Sequence, residues 1–317
     1  MKKWLPLILQ CGVSIALLVW IFWRPEFRAS IWQDFSQANP GWLVAGLAVA
    51  GIGNLLSVVR WAVFLRVLNI SLPAWEVFRI SFVGIFFNNF FPGAVGGDAV
   101  KVVWLVVKGH NRTSALLSVL MDRMSGLGAL VLCSLVFMLW RLDWLMSSAI
   151  VAGVIKFVFG YLVLVVLLMA FSFVISARGL TSRLPERLPG RKTILEFTSA
   201  YVQFVAAWRA TLLASVISLV ILLSYFATFY CSARAFGVHV PLVDFFAIMP
   251  AVDIISALPV SLGGFGVRDK LFAILLGDLG GVDEAKAIAL SLGGALLYLA
   301  WGLFGLVVLP SYRRAVK

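Results

Sequence analysis

Long apolar runs recur along most of the 317-residue chain, and short polar segments containing lysine and arginine separate them. A run of about 20 apolar residues is long enough to cross the hydrocarbon layer of a membrane, roughly 30 Å thick, as a helix. The pattern predicts full spans near residues 4–23, 41–65, 113–140, 147–176, 211–236 and 286–309. We therefore expect an all-α polytopic membrane protein whose residues 1–317 form a single transmembrane domain.

Basic residues in the connections between spans predict the orientation of the chain. Lys2 and Lys3 precede the first span, residues 178–192 hold five basic residues, and Arg313 and Arg314 follow the last span. We expect these segments and both termini in the cytoplasm, and the protein in the plasma (inner) membrane of a bacterium. These loops also account for most of the net charge of +12, which favours anionic lipid headgroups over nucleic acid as the partner.

The amino-acid composition limits the kinds of functional site that the chain can form. Hydrophobic residues make up 62% of the chain and charged residues 13%, whereas soluble domains have about a quarter charged residues. The three cysteines have no C-x-x-C spacing, and the chain has only two histidines. These features predict neither a disulfide framework nor a metal site, and we expect no cofactor.

Two apolar regions, residues 77–107 and 243–276, are left over when the spans are counted, and each must leave the membrane on the face by which it entered. Both contain the pattern P-x-x-x-G-G-x-x-V-[KR], which runs from Pro92 to Lys101 and again from Pro259 to Arg268. Proline halts a helix, and paired glycines let the backbone turn and approach closely.

We interpret these two regions as re-entrant helical hairpins that form an inverted repeat and enter from opposite faces. In transporters, such broken elements frame a binding site near the middle of the membrane. The alternative is that proline and glycine only kink two ordinary spans, since both residues are frequent in membrane helices.

A family resemblance rests on three segments, FPGAVGGDAVK, VLMDRMSGL and LPVSLGGFGVRD. They resemble the signature of the lysylphosphatidylglycerol synthase transmembrane, or flippase-like, family. The resemblance implies a lipid-translocating membrane domain, here without a soluble synthase domain. Lys101 stands where the family often has arginine, and Asp269 where it often has glutamate. Because lysine is a point charge and not a planar fork, the first departure argues against bidentate phosphate recognition at residue 101.

Ionisable residues inside apolar segments are candidate site residues, because a charge in hydrocarbon is costly and usually faces water or the interior of the bundle. Asp122 and Arg123 lie within the third full span, and Asp253 precedes the second glycine motif. For Asp122 and Asp253, a structural ion pair is the alternative interpretation. The candidate lipid-binding residues are Asn88, Asn89, Pro92, Gly96, Gly97, Asp98, Lys101, Asp122, Arg123, Asp253, Pro259, Gly263, Gly264, Arg268 and Asp269.

The leading hypothesis is a lipid transporter or flippase that binds and translocates an anionic lipid, either a phospholipid or a polyprenyl phosphate. One alternative is a membrane-embedded enzyme acting on a lipid-linked substrate, with Asp98 or Asp269 as the base. No set of nucleophile, base and orienting residue is recognisable in the sequence, which argues against that alternative. The other alternative is a scaffold for lipid-modifying enzymes, which would then be partners of this protein.

Overall fold

The computed structural model describes residues 25–90, 96–177, 203–258, 261 and 264–316, and the regular structure in these segments is helical. The main helices are α1 Pro25–Gln37, α2 Pro40–Val67, α3 Ala74–Phe90, α4 Gly96–Val107, α5 Arg112–Trp140, α6 Leu142–Leu145, α7 Ala149–Ala177, α8 Trp208–Ala235, α9 Leu242–Ala257, α10 Val267–Gly280 and α11 Glu284–Val316. The predicted span at residues 4–23 and the loop at 178–192 lie outside the described residues.

Among the described helices, α2, α5, α7, α8 and α11 are long and apolar enough to cross a membrane. They correspond to the predicted spans two to six. Large apolar side chains cover their outer surfaces; for example, Leu167 on α7 is 60% exposed and Val307 on α11 is 73% exposed. Such a surface suits hydrocarbon and not water. The structure therefore confirms the predicted all-α polytopic membrane fold.

The two leftover regions form pairs of short helices. α3 has 17 residues, α4 has 12, α9 has 16 and α10 has 14. At 1.5 Å per residue these helices are about 18 to 26 Å long, too short to cross roughly 30 Å of hydrocarbon. Each pair is interrupted at the glycine motif, as the sequence predicts.

Within each pair, the second helix turns back along the first. At the open end of the α3/α4 hairpin, Lys108 and Trp104 both contact Glu76. At the open end of the α9/α10 hairpin, Gly280 lies against Val240. A kinked span would instead continue to the opposite face, so the kinked-span alternative is wrong for these residues.

The two hairpins begin at opposite faces of the helix bundle. α2 and α8 pack antiparallel, since the N–H of Asn39 before α2 donates to Ala235 O at the end of α8 (2.9 Å). Towards the other end of α2, Arg60 reaches Ser218 in the first half of α8. The α3/α4 hairpin follows the end of α2, and the α9/α10 hairpin follows the end of α8. They therefore start from opposite ends of this antiparallel pair.

The turns that lead into the two hairpins are alike. α2 and α8 both have 28 residues. In the turn after each of them, Asn69 and Gly237 take equivalent positions with φ of 57° and 71°. In both turns the next N–H bonds back to the carbonyl five residues earlier at 2.9 Å. The left-handed conformation ends each helix and redirects the chain into the hairpin.

The turns that leave the hairpins are alike as well. Asn111 caps α5 by accepting the N–H of Thr113 (2.7 Å), and Asp283 at the equivalent position accepts the N–H of Ala285 at the start of α11 (2.9 Å). We call residues 40–140 the first unit and residues 208–316 the second unit. Both consist of a span, a hairpin and a span, and they run in opposite directions.

Aromatic side chains form much of the packing around each hairpin. Trp61 and Trp104 are fully buried in the first unit. In the second unit, the ring of Phe272 stacks on those of Phe229 and Phe245, with centroids 5.7 and 5.9 Å apart. Large rigid rings dominate core packing. They hold the helices that carry the charged side chains described next.

Candidate functional site

Asp122 is the centre of a buried group of charges and hydroxyls where the first unit meets α8. Its carboxylate accepts from Arg60 Nε at 2.7 Å and lies 3.4 Å from Lys101 Nζ. The guanidinium of Arg60 also donates to Ser218 Oγ at 2.9 Å, and that oxygen lies 2.6 Å from Ser125 Oγ. We call these five residues the first cluster. It joins α2, α4, α5 and α8.

The ammonium group of Lys101 has a second neighbour. It lies 4.8 Å from the ring centre of Trp61, and only 12% of the Lys101 side chain is exposed. A desolvated cation over a tryptophan ring is stabilised by about 2 kcal/mol. The contacts with the aromatic ring and with Asp122 together offset the free-energy cost of burying the charged lysine.

Asp98 and Arg123 form a separate pair beside the first cluster. Arg123 Nε donates to Asp98 Oδ2 at 2.8 Å, and the Arg123 side chain is 49% exposed. Asp98 therefore pairs with Arg123 and not with Lys101, its neighbour in the motif. The structure brings together four of the predicted candidates, Asp98, Lys101, Asp122 and Arg123, as two ion-paired groups.

Close packing of backbone holds the tip of the α3/α4 hairpin. Gly97 lies so near the carbonyl of Gly84 that a methyl group at Gly97 would overlap it. The N–H of Gly97 donates to Asn88 Oδ1 at 2.8 Å. The amide nitrogen of Asn89 is buried without a hydrogen-bond partner among the described residues. Gly96 begins α4, whereas Pro92 lies outside the described residues.

Arg268 and Asp269 lie in the first turn of α10 in the second unit, and both are buried, with exposures of 7% and 0%. Asp269 Oδ2 accepts the N–H of Gly266 at 2.9 Å, and Oδ1 accepts from Ser291 Oγ at 2.5 Å. Arg268 Nε donates to the same serine oxygen at 3.2 Å. Asp269 thus caps its helix and orients Ser291. Pro259 and Gly263 lie outside the described residues.

Asp253 faces Arg268 from the preceding helix. Its carboxylate interacts electrostatically with the Arg268 guanidinium and with the hydroxyls of Tyr225 and Tyr298. We call Asp253, Arg268, Asp269 and Ser291 the second cluster. Tyr225 follows Ser218 by two turns of α8, about 10 Å along its axis. One helix therefore connects the two clusters.

Some hydrogen-bonding groups at the tip of the α9/α10 hairpin have no partner among the described residues. They are Arg268 Nη2 and the hydroxyls of Ser256 and Ser261. The tip also holds Gly264 with φ of 78°, close against Ser256. A buried donor without a partner costs about 1–3 kcal/mol. Three such groups lie around one turn of the chain.

The cations of the two units have matching surroundings. Lys101 lies over Trp61, and Arg268 lies 5.4 Å from the ring centre of Phe229. Trp61 and Phe229 occupy equivalent positions on α2 and α8, counted back from the matching turns at Asn69 and Gly237. The motif that aligned Lys101 with Arg268 in sequence therefore also matches them in structure.

Sequence reasoning missed Arg60, Ser218 and Ser291. Arg60 carries a signal that could have been used, because it is a cation within the predicted span 41–65. The two serines carry none, since serine is common in membrane helices and often packs them together. Among the described residues, no three His, Cys, Asp or Glu side chains are grouped so as to hold a metal ion.

Comparison with known proteins finds a family and a curated relative. A family model described as "Lysylphosphatidylglycerol synthase TM region" matches residues 7–306. The chain belongs to this family. The resemblance predicted from the glycine motifs is thereby confirmed. A curated relative, the UPF0104 membrane protein PH1989 of Pyrococcus horikoshii, is 27% identical over 352 aligned positions, which cover all of this chain and 99% of the relative.

Membership of this family and the apolar spans together make the protein an integral membrane protein. The match includes both hairpins and both clusters. It also begins before the first described helix, within the predicted span at residues 4–23. The chain and its relative are nearly co-extensive.

Proposed function

We propose that this protein binds an anionic, phosphate-bearing lipid at its charged hairpins and moves it between the two leaflets. The supporting observation is that the two hairpins start from opposite faces, and each holds a cation over an aromatic ring inside the bundle. Transporters place substrate between broken helices of opposite direction. The family description names a synthase of a phospholipid, which favours a lipid as the ligand.

The charge balance favours the first cluster as the anion site in this conformation. Arg60 and Lys101 share the single carboxylate of Asp122, so one positive charge is in excess. Arg268, in contrast, interacts with the carboxylate of Asp253 and is joined to that of Asp269 through Ser291. A phosphate in a low-dielectric site interacts strongly with an uncompensated cation. We expect the phosphate at Arg60 and Lys101 in this state.

We further propose that the two units form an inverted repeat that exchanges conformations. The matched turns, the matched cation–ring pairs and the antiparallel packing of α2 and α8 support this proposal. In the second conformation, the helices around Arg268 would adopt the arrangement that the helices around Lys101 have in this structure. The lipid phosphate would pass from one cluster to the other along α8 while the chains stay in the hydrocarbon.

A leaflet-distribution assay tests the proposal. Purified protein in liposomes should speed the movement of a labelled phosphatidylglycerol between leaflets without changing its mass. Lys101→Gln and Arg268→Gln should each abolish the movement. An unchanged rate in both variants, at normal folded yield, would exclude the proposed site. A new lipid species made by the protein alone would instead support the membrane-embedded enzyme.

A topology experiment tests the orientation of the hairpins. Single cysteines replacing Gly96 and Gly264 should react with an impermeant thiol reagent from different sides, the first from the cytoplasm and the second from outside. The native cysteines must first be replaced by serine. Reaction of both positions from the same side would contradict the inverted arrangement of re-entrant hairpins.

A further inference from the structure

A cleft of about 320 Å³ lies between α5, α7 and α8, next to the first cluster. We call it the α5/α7/α8 groove. Residues that line it include Met121, Met124 and Ala129 of α5, Met169 of α7, and Ser215 and Leu219 of α8. For scale, an apolar cavity of about 150 Å³ stays dry and binds benzene. The groove is therefore large enough for a segment of hydrocarbon.

The two units have the same helix register on the two sides of the bundle, so their contacts can be compared directly. Ser125 of α5 reaches the carbonyl of Ala214 on α8. At the equivalent positions, Leu297 of α11 packs on Gly46 of α2. The contact between Ser125 and Ala214 therefore occupies the same positions on α5 and α8 as the contact between Leu297 and Gly46 does on α11 and α2.

On the other side of the bundle, the indole of Trp301 on α11 packs on Gly51 of α2 and donates its N–H to Leu47 O at 2.8 Å. The equivalent residues at the groove are Ala129 of α5 and Leu219 of α8. A tryptophan against a glycine is thus replaced by an alanine and a leucine. The two matched interfaces therefore differ at the groove, whose lining among the described residues contains no indole.

Apolar side chains form the walls of the groove, and a polar side chain lies at one edge. Three methionines form flexible walls, and methionine adapts its shape to irregular apolar partners. Ser125 lies at the inner edge, and its hydroxyl is joined through Ser218 to Arg60. A chain of hydrogen bonds therefore links the polar edge of the apolar groove to the guanidinium of Arg60.

We infer that the α5/α7/α8 groove holds one hydrocarbon chain of the lipid whose phosphate binds at Arg60 and Lys101. This inference rests on the proposed function and specifies how the lipid is held. A groove among membrane spans faces hydrocarbon, and Leu132 at its edge is 49% exposed. An acyl or isoprenoid chain matches both the walls and the polar end. The hydrocarbon chain would thus lie beside Ala129, at the position that Trp301 occupies on α11.

Two substitutions narrow the groove and replace no residue of the first cluster. Ala129→Trp adds an indole beside Leu219, at the position that corresponds to Trp301. Gly128→Leu adds a side chain at a position where a Cβ has no atom within 4 Å, so the fold tolerates it. Gly160→Leu on α7 is the matched control, because its Cβ position is equally open and it does not line the groove.

The test uses phosphatidylglycerol with a photoreactive diazirine near the middle of one acyl chain, in nanodiscs. Mass spectrometry of the irradiated wild-type protein and of Gly160→Leu should find lipid attached to Met121, Met124 or Met169. Ala129→Trp and Gly128→Leu should lose this labelling and the leaflet movement. Unchanged labelling in both groove variants, or cross-links there to a second protein copy, would overturn the inference.

Binding and transport are separate readouts in this design. If wild-type protein is labelled in the groove and moves no lipid, the transport proposal fails while the groove site stands. If it moves lipid and is labelled only on the outward surface of α7, the groove site fails while the transport proposal stands.

Discussion

Replacing Asp122 by asparagine should destabilise the protein far more than replacing Lys101 by glutamine. Asp122 is the shared acceptor of two cations, and about 11% of its side chain is exposed. The change strands Arg60 and Lys101 together, and loss of one partner from a buried ion pair costs about 3–5 kcal/mol.

Lys101→Gln has a smaller expected cost. Asp122 keeps its contact with Arg60 at 2.7 Å, whereas the longer contact at 3.4 Å and the contact of the ammonium with the Trp61 ring are lost. Removing the lysine charge also removes the cost of burying it, and no ion is left without a partner. The free energy of unfolding should therefore fall by less than the loss of about 3–5 kcal/mol expected for Asp122→Asn.

Reversible unfolding of the purified protein, followed by circular dichroism, measures both free energies of unfolding. Asp143→Asn is the control, since it removes an exposed carboxylate on α6 and should change the free energy little. The double variant Asp122→Asn with Lys101→Gln should be more stable than Asp122→Asn alone. Equal free energies for the two single variants would refute the role of Asp122 as shared acceptor.

Two further predictions concern the backbone and pH. Gly97→Ala should lower the folded yield, because its methyl group overlaps the carbonyl of Gly84. The control Gly153→Ala adds a methyl group in open space and should instead stabilise α7 by up to about 1 kcal/mol. Equal folded yields of the two variants would contradict the close packing at Gly97. Burial, with a smaller contribution from Asp283, raises the pKa of the Asp34 carboxyl above 3.8. Its ionisation therefore destabilises the folded state as pH rises through this range. Asp34→Asn should raise the melting temperature at pH 7 but not at pH 3, and a lower melting temperature at pH 7 would contradict this.

The amino-acid sequence by itself determined the membrane fold and the places where the helices break. Hydrophobic run length has a direct physical meaning, because a spanning helix must match the thickness of the hydrocarbon. The glycine motif is equally local, since proline and glycine act on the backbone where they stand. For that reason the sequence predicted five described spans, both hairpins and the match between Lys101 and Arg268.

Only the tertiary structure decided which charged side chains pair and where the α5/α7/α8 groove lies. Asp122 accepts from Arg60, 62 positions away, and Asp98 from Arg123, 25 positions away. Such partners are set by helix packing and leave no pattern in the chain between them. The groove has the same origin: Ala129 is unremarkable in sequence, and it stands out only because the equivalent position on α11 holds Trp301. Helix packing brings these distant positions together. The role of each residue therefore depends on its contacts with other helices, which the sequence around it does not reveal.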